Sequence, residues 1–212
     1  TAGRQCAHPS TWAPTEHIMN KPNRPAGFQG YHQIRNETED AELTHVGPGT
    51  PCGEYMRRYW QPVAMSEELG ELPSLVRILG EDLVLFRDGS GEVGLLHRHC
   101  AHRGASLEYG QIADKGIICC YHGWHFDVDG TLIKAGSEPA DSPICDRVVQ
   151  GAYPAREHNG IVFAYLGPPQ EKPPFPVYDT EAMPDTDYRV FSITTPCNWL
   201  QVYENTQDPI HV

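Results

Sequence analysis

No stretch of the 212-residue chain stays apolar for longer than Ile161–Leu166, far short of the roughly 20 residues that a membrane helix needs. The first 45 residues lack the apolar core of a signal peptide, so a soluble, cytoplasmic protein with no membrane partner is expected. Basic residues are scarce: 16 Lys and Arg stand against 28 Asp and Glu, a net charge of −12. A phosphate backbone would meet repulsion rather than counterion release, which excludes nucleic acid as a partner. Seven cysteines, an odd number in a chain without a secretory signal, argue against a disulfide framework and for metal ligation or buried thiols in a reducing compartment. At roughly 100 to 200 residues per domain, the length allows one complete domain and part of another, and excludes a large multidomain enzyme.

What is present falls into four parts. Residues 1–46 are polar, broken by Pro9, Pro14, Pro22 and Pro25, without a period of 2 or 3.6, and read as an N-terminal extension. A helical pattern is possible over Pro51–Leu69, where Tyr55, Tyr59 and Trp60 would share an apolar face and Pro62 would end or kink the helix. Leu75–Leu79, Leu83–Phe86 and Val93–Leu96 are short apolar runs separated by Gly80-Glu81-Asp82 and Asp88-Gly89-Ser90-Gly91, the spacing of an antiparallel meander. Gly116–Tyr121, the segments flanking Asp129-Gly130, and Ile161–Leu166 after Asn159-Gly160 continue the pattern, since Asp-Gly and Asn-Gly supply the positive φ of tight hairpins. Residues 47–166 are therefore expected to form one all-β domain. Residues 167–186 form a semi-rigid connector, with five prolines in Gly167–Pro176. Residues 187–212 hold a strand-like alternation at Tyr188–Thr194 and a helix opening at Asn198–Asn205.

The chemistry concentrates in Cys100-Ala101-His102 and Cys119-Cys120-Tyr121-His122. Each segment offers one thiolate and one imidazole, follows an apolar run and leads into glycine, as two facing hairpin tips would. Two Cys and two His can hold a tetrahedral zinc, or a 2Fe-2S cluster with both thiolates on one iron and both imidazoles on the other; spacing alone does not separate them. The motifs C-A-H-R-G at 100–104 and C-C-Y-H-G-W at 119–124 resemble those of a Rieske iron-sulfur domain. That resemblance implies a mainly β fold, an antiparallel domain with two cluster-binding hairpin loops, and Cys100, His102, Cys119 and His122 as ligands. The family usually has Pro where this chain has Cys120, which is read as a bystander thiol, and His97, His99 and His125 as structural neighbours. Neutral imidazoles make the cluster less negative than four thiolates would and raise its potential, while their outer nitrogens stay free for hydrogen bonds.

A bare electron carrier would need nothing after about residue 166. Here Asn198-Trp199, Glu204-Asn205 and Asp208-Pro209-Ile210-His211 follow, and on a helix Glu204, Asp208 and His211 would share one face. This stretch resembles the start of the α+β catalytic domain of ring-hydroxylating Rieske oxygenase large subunits. Gly47–Pro51 and Met56–Pro62 resemble its phthalate-dioxygenase-like branch. The resemblance implies that His211 is the first ligand of a mononuclear Fe(II) held by two histidines and a carboxylate, and that Asp208 is a catalytic bridge from His211 to His122 of a neighbouring subunit. The remaining ligands would follow downstream, so the chain reads as the N-terminal part of a longer polypeptide. The implied partners are a reductase using NAD(P)H, with or without a ferredoxin, O2, an aromatic compound to be hydroxylated or demethylated, and further copies of the chain, as a trimer. The rival reading is a stand-alone Rieske ferredoxin-type carrier.

Overall fold

The computed structural model describes residues 38–139, 142–182 and 187–210. Residues 1–37 of the expected N-terminal extension and His211 lie outside the described residues. The end of that extension forms a short helix, α1 (Ala41–Thr44), opened by the Asp40 carboxylate, which accepts the Glu42 N–H. Helix α2 (Pro51–Met56) follows, with Thr50 as its cap and Pro at its first position, where the missing N–H costs nothing.

Ten strands are described: β1 (Gln61–Met65), β2 (Ser74–Ile78), β3 (Glu81–Arg87), β4 (Val93–His97), β5 (Gln111–Ile112), β6 (Ile117–Ile118), β7 (His125–Phe126), β8 (Leu132–Lys134), β9 (Ala155–His158) and β10 (Ile161–Ala164). They form three antiparallel sheets, ordered β1-β10-β9, β2-β3-β4 and β5-β6-β7-β8. The expected meander is the second of these, although its first turn falls at Leu79-Gly80 and the chain is already in strand at Glu81. The Asn159-Gly160 turn joins β9 to β10, both residues at positive φ.

Strand β3 explains why its sequence reads as a continuous apolar run rather than an alternation. Val84 and Phe86 enter one core with Leu96, Leu107, Ile117, Phe126 and Leu132. Leu83 and Leu85 enter a second with Leu79, Leu95, Val162 and Leu166. Strand β3 is thus buried on both faces, and each such side chain contributes about 1.5–3 kcal/mol relative to exposure. The first core also contains Cys100, Cys119 and Trp124, so the two cysteine loops are rooted in packed structure.

Three local expectations are corrected. The helix over Pro51–Leu69 stops at Met56, and Pro62 lies in edge strand β1 opposite Phe163, beside a bulge between Pro62 and Ala64, a position where proline's lack of an N–H is tolerated. Tyr55 and Tyr59 are exposed and hydrogen-bond each other at 3.3 Å, while Trp60 packs against Tyr165 and Phe175. Tyr188–Thr194 forms no strand. A cleft lined by Pro62, Ala64 and Val190 lies between this segment and β1, and the bulged, proline-bearing edge offers it a poor hydrogen-bonding ladder.

The proline-rich connector is packed down. Phe175 sits edge-on to Trp60, Phe163 and His158 at centroid distances of 5.1–5.3 Å, and Arg156 lies over its ring. Beyond it, α3 (Trp199–Gln207) is capped by Asn198, whose side chain accepts the Leu200 N–H and donates to the Thr44 carbonyl. Trp199 Nε1 donates to the Leu43 carbonyl.

Candidate metal centre

The two cysteine loops adopt matching turns. Cys100 N–H donates to the Ala105 carbonyl at 2.9 Å, and Gly104 N–H donates back to the Cys100 carbonyl at 2.8 Å. Cys119 N–H donates to the Trp124 carbonyl at 2.7 Å, and Gly123 N–H returns to the Cys119 carbonyl at 3.0 Å. Gly104 and Gly123 hold φ of 73° and 68°, the left-handed region that a side chain would strain. The second loop is the tip of the β6–β7 hairpin, whose pairs are Ile117 with Phe126 and Ile118 with His125. The first is closed at its base by a bridge between His99 and Ser106.

Cys100 and Cys119 are 4% and 3% exposed and share one buried core cluster, with Cys119 and the backbone N–H groups of His102 and Arg103 beside the Cys100 sulfur. Burial pushes the Cys100 thiol up to about 11, with the neighbouring Cys119 adding to the rise and the two N–H groups opposing it. Such a thiol becomes a ligand by losing its proton to an incoming metal. The His102 and His122 rings lie 4.7 Å apart, and His102 stacks on Trp124 at 4.4 Å with an interplanar angle of 3°. Burial lowers the His102 pKa, reinforced by the nearby His122 and Arg103.

The donors therefore sort into a sulfur pair and a nitrogen pair. Among the described residues, no three His, Cys, Asp or Glu side chains converge on one point where a single ion could sit. Two thiols and two imidazoles are the donor set that a Rieske 2Fe-2S cluster takes, and the residues present fit it.

The neighbouring residues have other employment. Cys120 is exposed. His99 Nδ1 bonds the Gly104 carbonyl at 3.0 Å, His125 Nε2 bonds the Lys115 carbonyl, and His97 faces Tyr153 and the Glu81 carboxylate. Glu81 in turn accepts from the Tyr153 hydroxyl at 2.6 Å and from buried Arg57 at 2.8 Å.

Two polar residues escaped the sequence reading. Asp88 is 5% exposed and accepts four hydrogen bonds, from Ser90 N–H, Ser90 hydroxyl, Glu92 N–H and Gly116 N–H. It thereby ties the β3–β4 turn to the start of the hairpin that carries Cys119. Gln150 is 1% exposed, and its side chain bonds three backbone groups of the first loop and its stem. A lone buried amide at the end of an apolar run leaves no signature in one sequence.

The shared helical face of Glu204, Asp208 and His211 is corrected. Helix α3 ends at Gln207, and Asp208 is extended at ψ 111°, because Pro209 disfavours helical geometry in the residue before it. The Asp208 carboxylate accepts the Ile210 N–H at 2.9 Å, which turns the chain at this point.

The family described as Rieske [2Fe-2S] domain matches residues 59–150. The oxygenase subunit of tert-butanol monooxygenase / tert-amyl alcohol desaturase from Aquincola tertiaricarbonis is 60% identical over 171 residues, covering 80% of this chain and 36% of that protein. Phenoxybenzoate dioxygenase subunit alpha from Ectopseudomonas oleovorans is 47% identical over 187 residues, covering 82% and 46%. Among solved structures, a Pseudomonas putida CBB5 NdmA mutant with caffeine is 28% identical with a TM-score of 0.54, covering 62% of this chain and 40% of that one. The chain spans less than half the length of each.

Proposed function

Because this chain belongs to the family of Rieske ring-hydroxylating oxygenase alpha subunits, in its phthalate-dioxygenase-like branch, we propose that it holds a Rieske 2Fe-2S cluster through Cys100, His102, Cys119 and His122. In this reading it serves as the electron-delivering part of an oxygenase. The observation that carries the assignment is the pair of matching turns, each presenting one buried cysteine and one histidine, with the two imidazoles side by side. Exposed Cys120 is outside that arrangement.

The cluster would supply one-electron transfer at a potential raised by its two neutral ligands. The protein's own residues do the rest. The buried cysteines keep water from the inner end. Trp124, flat against His102, fixes the orientation of that imidazole, and the outer N–H groups of His102 and His122 present a hydrogen-bonding exit. Electrons would arrive from NAD(P)H through a separate reductase, with or without a ferredoxin. They would leave for a mononuclear Fe(II) of which His211 is the first ligand.

Asp208 is assigned as the bridge between His211 and His122 of the partner subunit, in a homotrimer. A carboxylate can accept from both imidazoles, and a head-to-tail contact of this kind closes into a ring. Residues 47–166 would be the Rieske domain, 167–186 the connector and 187–212 the opening of the catalytic domain. No helix among the described residues is long and apolar enough to cross a membrane.

The reaction is O2-dependent hydroxylation or demethylation of an aromatic compound, as the names of the phenoxybenzoate, phthalate and dehydrodivanillate relatives suggest. The 60% identical relative is named for tertiary alcohols, which favours a compact tertiary alcohol as the second substrate class. A stand-alone ferredoxin-type carrier is the weaker reading, because these relatives are oxygenase subunits. The test is metal and sulfide analysis of the purified chain, with about two irons and two acid-labile sulfides expected. A colourless protein with stoichiometric zinc would overturn the assignment.

A further inference from the structure

The first cysteine loop is held from behind by a side chain that belongs to neither motif. Fully buried Gln150 spends its whole amide on that loop and its stem. Its Oε1 accepts the Ala101 N–H at 2.7 Å, and its Nε2 donates to the carbonyls of His97 and His99 at 2.9 and 3.1 Å. Its backbone N–H donates to the Gly130 carbonyl at 2.8 Å, in the turn between β7 and β8, and β7 is the strand leaving the second loop. One residue thus ties the scaffold of one loop to that of the other.

The orientation of the Ala101 peptide has a chemical consequence. Its N–H is turned toward Gln150, while the next two amides, of His102 and Arg103, lie beside the Cys100 sulfur. Peptide planes are rigid, so pinning one of three successive planes restricts the other two. An N–H group aimed at a thiolate favours the more negative state of whatever the thiolate binds, and hydrogen bonds to cluster sulfurs are one of the levers on potential.

We propose that Gln150 is a positioning residue that clamps the Cys100 loop, keeps the His102 and Arg103 amides aimed at the Cys100 sulfur, and so raises the electron affinity of the cluster. This rests on the ligand assignment above. Methionine at this position matches the volume of glutamine but accepts and donates nothing comparable. Glutamate keeps an acceptor for Ala101 but meets the two carbonyls without an N–H and adds negative charge beside the loop.

The experiment compares the cluster-loaded wild type with Gln150→Met and Gln150→Glu by iron and sulfide content, electron paramagnetic resonance and protein-film voltammetry. Gln150→Met should hold the cluster with electron affinity reduced about threefold or more. That is a potential lower by about 30 mV, at 59 mV per tenfold for one electron. Gln150→Glu should fall further. Failure of either variant to hold the cluster while circular dichroism shows the β domain folded also supports the clamp. A Gln150→Met potential within about 10 mV of wild type with an intact cluster overturns it. Loss of fold in both variants overturns it too, by assigning Gln150 to the core alone. A wild-type chain that binds no 2Fe-2S cluster overturns the ligand assignment and the clamp with it, and is recognised before any variant is read.

Discussion

Replacing Asp88 by Asn tests whether one buried carboxylate joins the meander to the hairpin carrying Cys119. Oδ1 accepts from Ser90 N–H at 2.9 Å, the Ser90 hydroxyl at 2.7 Å and Glu92 N–H at 3.0 Å, and Oδ2 accepts from Gly116 N–H at 2.9 Å. Asparagine can keep the first three only by turning its amide nitrogen toward Gly116, so two donors face each other at a buried site. An orphaned buried donor costs about 1–3 kcal/mol, and the surviving bonds drop from charge-assisted to neutral strength, for a combined loss of about 2–4 kcal/mol. Burial alone would push the Asp88 carboxyl up, but the bonds from Gly116, Ser90 and Glu92 outweigh it and hold the carboxyl below its ordinary value. A group whose folded pKa is depressed contributes stability that is present above its unfolded pKa, about 3.9, and lost as pH falls through the folded value. The gap between wild type and Asp88→Asn should therefore be full at pH 7 and close below about pH 4. Equilibrium urea unfolding of both proteins at matched cluster content, followed by tryptophan fluorescence across that range, measures it. A gap under about 0.5 kcal/mol at pH 7, the level of an ordinary surface change, or one that persists unchanged in acid, would refute the reasoning.

The other predictions concern the site and its frame. Cys119→Ser should abolish the cluster spectrum and Cys120→Ser largely retain it, since only Cys119 is buried against Cys100; the reverse pattern in absorption spectra would show that the wrong sulfur was assigned. Arg57→Met should destabilise the chain by about 1.5–3 kcal/mol by removing one of the donors to the Glu81 carboxylate and leaving it to Tyr153. Adding Glu81→Gln should recover part of that loss in the same unfolding assay, and no recovery would mean that the Arg57 stem, not the ion pair, matters. In an oxygenase polypeptide containing the complete iron site, Asp208→Asn should spare both metal centres yet stop single-turnover oxidation of the reduced cluster; reoxidation at the wild-type rate with product formed would leave Asp208 a turn residue only.

What could be read directly from the chain was local. The Asn159-Gly160 turn, the short strands around it and the one-sulfur, one-nitrogen loops ending in Gly104 and Gly123 depend on the conformational preferences of a few adjacent residues, which operate wherever those residues occur. Where a local signal failed, an equally local rule in conflict with it was at work. Pro62 suggested the end of a helix but equally suits an edge strand, and Pro209 stops α3 before Asp208 can join the face of Glu204.

The sequence by itself determined the pairing of one cysteine with one histidine in each loop, the order of the two loops and the mainly β texture, because motif spacing and turn chemistry are properties of short segments. Only the tertiary structure decided that β3 is buried on both faces, that Phe175 pins the connector to the sheet, and that Gln150 and Asp88 brace the two cysteine loops. Gln150 meets its side-chain partners 49 to 53 positions away, and Asp88 meets Gly116 28 positions away. A buried polar group is stabilised by whatever the fold brings to it, and that depends on packing between segments rather than on the residues beside it.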